Sequence, residues 1–244
     1  QPYILQHYGN PSSPHVYGRA AREAIASARA QVAALLGCAT AEVVFTGGGS
    51  ESNNTVLKGV AYTYRHKGQH IITSAIEHPA TINPCRYLEQ QGVRVTYLPV
   101  DRTGMVNPDE VRRAITAQTI LISIMHANNE VGTLQPIADM SRIARAHGVL
   151  LHTDAAQSVG KIPTLVDELG VDFLSLAGHK VYAPKGIGAL YMRAGIALEP
   201  LIHGAGHESG RRAGTENVIF AVGLGKACAV AQADLPRYQH DVRQ

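Results

Sequence analysis

Apolar residues along this chain follow two alternating rhythms. Short unbroken apolar runs fall at 43–45, 71–73, 93–98, 119–124, 149–152, near 173–176 and at 188–192. Between them, apolar residues recur every three to four positions. The clearest case is 14–36, where Ala21, Ala24, Ile25, Ala28, Val32, Leu35 and Leu36 share one helical face and Gly37 follows as a stop. Further helices are predicted from Ser50 to about 66, over 82–90, from 107–110 onward, over 137–146 and over 216–233. Asn107-Pro-Asp-Glu110 has the signature of a helix start: a capping amide, a proline at the first position and acids in the first turn. Strands without polar alternation are covered on both faces. Their regular exchange with helices predicts an α/β fold, a mainly parallel seven-stranded sheet with helices on both sides. Ligands of such sheets lie at the carboxyl ends of the strands.

Two ionisable residues stand at such ends. Asp154 closes 149–154 and Lys180 closes 173–180. An amine and a carboxylate brought to one end of a sheet suit pyridoxal 5'-phosphate (PLP). The amine can form a Schiff base with its aldehyde, and the carboxylate can hold a proton on the pyridine nitrogen, making the ring an electron sink. A plain salt bridge is the other reading of the pair. The loop Phe45-Thr-Gly-Gly-Gly-Ser-Glu51 joins a strand to a helix. Gly49 and Ser50 could cradle a phosphate at the helix N-terminus, although a tight turn without ligand gives the same pattern. Gln157, His78, Asn129 and His179 are further candidates. Each has a bland counterpart: a first-turn surface amide, a loop histidine before proline, a turn cap, a neighbour of Lys180. Metal binding by His152, Asp154 and His179 has no short ligand spacing behind it.

Composition narrows the classes. The chain has 244 residues, 45% hydrophobic and 17% charged, with a net charge of +3 and no basic stripe, so nucleic acid is not an expected partner. No apolar run approaches the length expected to span a membrane, and no signal-peptide pattern opens the chain. Cys38, Cys85 and Cys228 are widely spaced, fit a reducing cytoplasm and read as small buried hydrophobes. No repeat or linker divides the chain, so 1–244 reads as one PLP-binding domain.

Several motifs in one order resemble the cysteine desulfurases, class V fold-type I PLP enzymes that feed iron–sulfur cluster assembly. They are Gly9-Asn-Pro-Ser-Ser13 with His15 and Gly18, Gly48-Gly-Ser-Glu-Ser-Asn-Asn54, Glu77-His-Pro79, His126-Ala-Asn-Asn-Glu-Val-Gly132, His152-Thr-Asp-Ala-Ala-Gln-Ser158, Gly178-His-Lys180 with Pro184-Lys-Gly186, and Gly210-Arg-Arg-Ala-Gly-Thr-Glu-Asn217. The resemblance implies Lys180 as the Schiff-base lysine, Asp154 as partner of the pyridinium nitrogen, and Gln157 at the phenolic oxygen. It implies that His78 stacks on the ring and assists proton transfer, and that Asn129 lies near the phenolic oxygen and the substrate carboxylate. Gly49, Ser50 and His179 would hold the phosphate, and Thr215 would reach the phosphate of a partner subunit in a homodimer. The implied reaction takes L-cysteine to L-alanine and leaves sulfur as a persulfide for a scaffold or acceptor protein. A selenocysteine or cysteine-sulfinate lyase, and a non-catalytic PLP-binding scaffold, are the alternatives. Two departures stand out. Ala177 replaces the family's usual serine, and the family's nucleophilic cysteine and carboxylate-binding arginine have no counterpart in 1–244. On this reading the chain is the large domain without the small C-terminal domain and the extreme N-terminal segment, and it binds PLP while turning over little cysteine.

Overall fold

The computed structural model describes residues 2–242; Gln1, Arg243 and Gln244 lie outside them. The helices are α1 Pro2–Leu5, α2 Val16–Leu36, α3 Gly49–Thr63, α4 Pro79–Gln90, α5 Pro108–Ala114, α6 Ile137–Ala146, α7 Val166–Leu169 and α8 Val218–Val242. The strands are β1 Val43–Thr46, β2 His70–Ser74, β3 Arg94–Leu98, β4 Thr119–Ser123, β5 Leu150–Asp154, β6 Phe173–Ala177 and β7 Gly188–Met192. They form one seven-stranded sheet in the order β1-β7-β6-β5-β4-β2-β3. The pairs β2–β3, β2–β4, β4–β5 and β5–β6 are parallel, and β7 runs antiparallel to both β6 and β1. Six strands therefore point one way, and their carboxyl ends share one side of the molecule.

The continuous apolar strands are explained by a core on each face. Neighbouring residues alternate between them. Phe45, Ile72, Ile122, Leu174 and Tyr191 pack with α2, α6 and α8, through Val32, Leu36, Met140, Ile143, Leu224 and Cys228. Val44, Ile71, Leu121, Phe173 and Leu190 pack with α3 and α4, through Val56, Leu57, Val60, Cys85 and Leu88. Each large side chain buried this completely contributes about 1.5–3 kcal/mol, so both layers hold the sheet between the helices. At the outermost strand β1, Arg29 donates two hydrogen bonds to Glu208, at 2.6 and 2.8 Å. Arg29 also donates to the Val43 carbonyl, and Glu208 accepts from the Phe45 N–H.

Three expectations are corrected. α4 begins at Pro79 rather than near 82, because His78 caps it: its Nδ1 accepts from the Ala80 N–H at 3.1 Å, and Pro79 takes the first position. Lys180 lies beyond the end of β6, in a short 3₁₀ turn, Gly178–Val181, closed by Tyr182 in the left-handed region at φ 63°. α8 runs past residue 233, and its segment Val218–Tyr238 is long and apolar enough by length and composition to cross a membrane. That segment is rich in Ala, Val and Gly because it lies against α2, where Gly225 meets Ala28 so closely that a Cβ there would sit 2.6 Å from the Ala28 Cα.

Candidate active site

Five strand ends and one strand start converge on a cavity of about 440 Å³, within the usual size of small-molecule sites. β1 delivers the glycine loop 47–51. β2 delivers His78, β4 delivers Met125, Ala127 and Asn129, and β5 delivers Asp154 and Gln157. β6 delivers Ala177, His179 and Lys180, and Gly186 and Ile187 precede β7. Thus Gly49, Ser50, His78, Asn129, Asp154, Gln157, His179 and Lys180 all line one space. Thr215 does not; it is exposed on the loop before α8.

The glycine loop is shaped by its own backbone and by one acid. Gly48 adopts φ 146°, a conformation closed to side-chain residues, and hands the chain to α3 at Gly49. Glu51 accepts from the Gly47 N–H at 2.7 Å and from the Arg212 guanidinium at 2.8 and 3.2 Å. Ser52 donates to the Ala189 carbonyl and so pins the first turn of α3 to β7. The free N–H groups of that turn make it an anion site.

Asp154 is only 7% exposed, yet among the described residues no cation pairs with it. Its Oδ2 accepts from Asn53 Nδ2 at 2.7 Å and its Oδ1 from the Ala156 N–H at 3.0 Å. The plain salt bridge with Lys180 is therefore not what the pair makes. A buried carboxylate held only by neutral donors is costly to keep and well placed to receive a protonated ring nitrogen. With the amine of Lys180 and the anion-binding turn of α3 on the same cavity, the residues fit PLP.

Other groups are set by neighbours that the motifs did not reveal. Gln157 Oε1 accepts from Lys161 Nζ at 3.1 Å, so its amide nitrogen is left as the donor. Burial and the nearby charge of Lys180 both lower the pKa of Lys161. Asn129 Nδ2 donates to Glu130 at 2.6 Å. The capping bond uses His78 Nδ1, which leaves Nε2 as its free nitrogen. Glu77 is buried, accepts from Ser74 Oγ at 2.6 Å and from the Met125 N–H at 2.9 Å, and ties the loop bearing His78 to the loop after β4. Desolvation, reinforced by the charge of Asp154 and opposed by these hydrogen bonds, pushes Glu77 up to about 8. Its place just before His78, after a strand, was the available signal.

His152 is not a ligand candidate. It is fully buried between Ser123 Oγ at 2.8 Å and Ser175 Oγ at 3.0 Å, and desolvation lowers it to about 3. No metal-binding group of His, Cys, Asp or Glu occurs among the described residues. None of the three thiols lines the cavity, and burial pushes each up to about 12.

Comparison with known proteins agrees with this geometry. The family model "Aminotransferase class-V" matches residues 1–240. A cysteine desulfurase IscS of Dictyoglomus turgidum is 52% identical over 237 residues, which are 97% of this chain and 60% of that protein. The solved structure of a NifS-like protein superposes with a TM-score of 0.94 at 42% identity, covering 97% of this chain and 65% of that one. A structure described as SspA in complex with cysteine superposes with a TM-score of 0.91 at 46% identity, covering 93% of this chain and 66% of that one. The chain thus spans about 60% of the length of the curated relative it matches. On sequence and fold together, this chain belongs to the class-V aminotransferase family of PLP-dependent enzymes.

Proposed function

We propose that this protein acts as a cysteine desulfurase, converting L-cysteine to L-alanine and passing the sulfur to a thiol. The observation that carries the reading is the buried Asp154 carboxylate, which has donors but no cation, in one cavity with Lys180 and the α3 turn. Bound PLP supplies an electron sink for the α-carbon of an amino acid. The side chains do the rest. Asp154 holds the ring nitrogen's proton. Gly49, Ser50 and His179 would hold the phosphate, and the Lys180 amine would hold the cofactor at its aldehyde end and move a proton at Nζ. His78 carries a proton on Nε2. Gln157, oriented by Lys161, donates to the phenolic oxygen, while Asn129 faces the substrate carboxylate.

The sulfur acceptor is a thiol other than Cys38, Cys85 and Cys228, since none of them reaches the cavity. A thiolate there takes the sulfur atom as the Cβ–S bond breaks, giving a persulfide and alanine. The exposed loop with Thr215 supports a homodimer in which this hydroxyl serves the partner's phosphate site. The sulfur passes onward to an iron–sulfur scaffold or another acceptor protein, a reading supported by the likeness to the IscS cysteine desulfurase, and a reducing cytoplasm suits the three free thiols.

The test supplies the PLP-loaded protein with a separate acceptor thiol and measures alanine released from L-cysteine, with selenocysteine and cysteine sulfinate in parallel. Alanine from cysteine with persulfide on the acceptor, and none from Lys180→Ala, is the expected result. Release from the other two substrates alone would overturn the assignment.

A further inference from the structure

Asn53 is fully buried in α3, one turn beyond Ser50, and the motifs assign it no role in the chemistry. Its amide nitrogen uses both hydrogens. One goes to Asp154 Oδ2 at 2.7 Å, the other to Thr81 Oγ1 at 3.2 Å. Its carbonyl oxygen, Oδ1, is buried with no hydrogen-bond partner. Stability alone does not explain this arrangement. A buried acceptor left unpaired is a cost, and an apolar residue of the same shape would avoid it. Flipping the amide would aim Oδ1 at a carboxylate and at the same time remove the donor from Asp154. The Asp154 carboxylate, which only accepts, decides the orientation, and the Thr81 hydroxyl steadies it by accepting from the second N–H. Thr81 sits in the first turn of α4, where its N–H bonds back to the His78 carbonyl at 2.8 Å.

We propose that Asn53, steadied by Thr81, is a positioning residue for the cofactor: it fixes the plane of the Asp154 carboxylate so that the remaining lone pairs face the ring nitrogen. This deepens the PLP reading and rests on it. The unpaired Oδ1 is then the cost of keeping the nitrogen end turned to Asp154. The same network joins three elements, since α3 holds Asn53, α4 holds Thr81 and is capped by His78, and β5 holds Asp154. A displacement of α4 would be felt at both the histidine and the carboxylate.

The experiment uses equilibrium dialysis of the whole protein with PLP and with the PLP analogue in which C–H replaces the ring nitrogen. In Asn53→Leu, PLP affinity should fall about tenfold, whereas the analogue, which offers Asp154 nothing to hold, should change less than about twofold. Thr81→Val should weaken PLP about threefold and Thr81→Ser should restore it, again with little effect on the analogue. Equal losses for both ligands would overturn the proposal and leave a general packing role. Unchanged PLP affinity would overturn it as well. Should Asn53→Leu fail to fold, the two Thr81 variants carry the same comparison. Failure of the unmodified protein to bind PLP would instead overturn the functional reading.

Discussion

Ala177 ends β6 against the glycine loop: a Cβ built on Gly49 would lie 3.2 Å from the Ala177 Cβ. A hydroxyl at this position would therefore meet whatever the α3 turn holds. Ala177→Ser is expected to tighten PLP binding about tenfold, the worth of one hydrogen bond to a charged acceptor, as read from dialysis. Equal affinity in the two proteins would show that water already fills the role. The single residues legible in the sequence were those whose chemistry is scarce at a strand end, Asp154 and Lys180, and those fixed by a glycine turn. Asn53, Lys161 and Glu77 were not legible as partners. Their roles depend on which lone pair faces which donor, and that is decided by packing between elements far apart in sequence.

Helices and strands were read from periodicity because both faces of the sheet are covered, which leaves long apolar runs with clear breaks. Boundaries failed where capping chemistry prevails over hydrophobic pattern. His78 starts α4 three residues before the apolar spacing does, and α8 continues through Pro236 without an apolar face to announce it. α7 has four residues, too few for a period to register. The α2–α8 contact rests on small residues. Gly225→Val should destabilise the fold by about 1–3 kcal/mol, since any side chain would push into the Ala28 backbone. A chemical-denaturation midpoint equal to that of the parent would mean that the two helices separate freely.

For the whole molecule, buried titratable groups give stability a pH dependence of known sign. His152 and His126, lowered by desolvation to about 3 and about 4, stay neutral when folded, while the unfolded chain takes up their protons below the ordinary histidine value of 6.5. Their contribution is full above that value and is lost as pH falls toward the folded values. Glu77, raised to about 8, acts oppositely: its contribution is full below 4.5 and is lost as pH rises through 8. Between pH 6.5 and 5 the losses at His152 and His126 meet the gain at Glu77, each about 2 kcal/mol, and His70, also lowered by desolvation, adds a further loss, so the protein should lose at least about 2 kcal/mol net. Urea midpoints across that window should show the fall, and His152→Asn should flatten it. An unchanged slope in that variant would place the acid sensitivity elsewhere. Finally, consider Arg29 and Glu208. Val43 and Phe45 turn their carbonyl and N–H away from β7, toward the side where an eighth strand could add. The ion pair, with Arg211 on the Val43 and Ala41 carbonyls, occupies those groups. It thereby denies the sheet a template for pairing with another chain, and guards against aggregation at the strand that leads into the glycine loop.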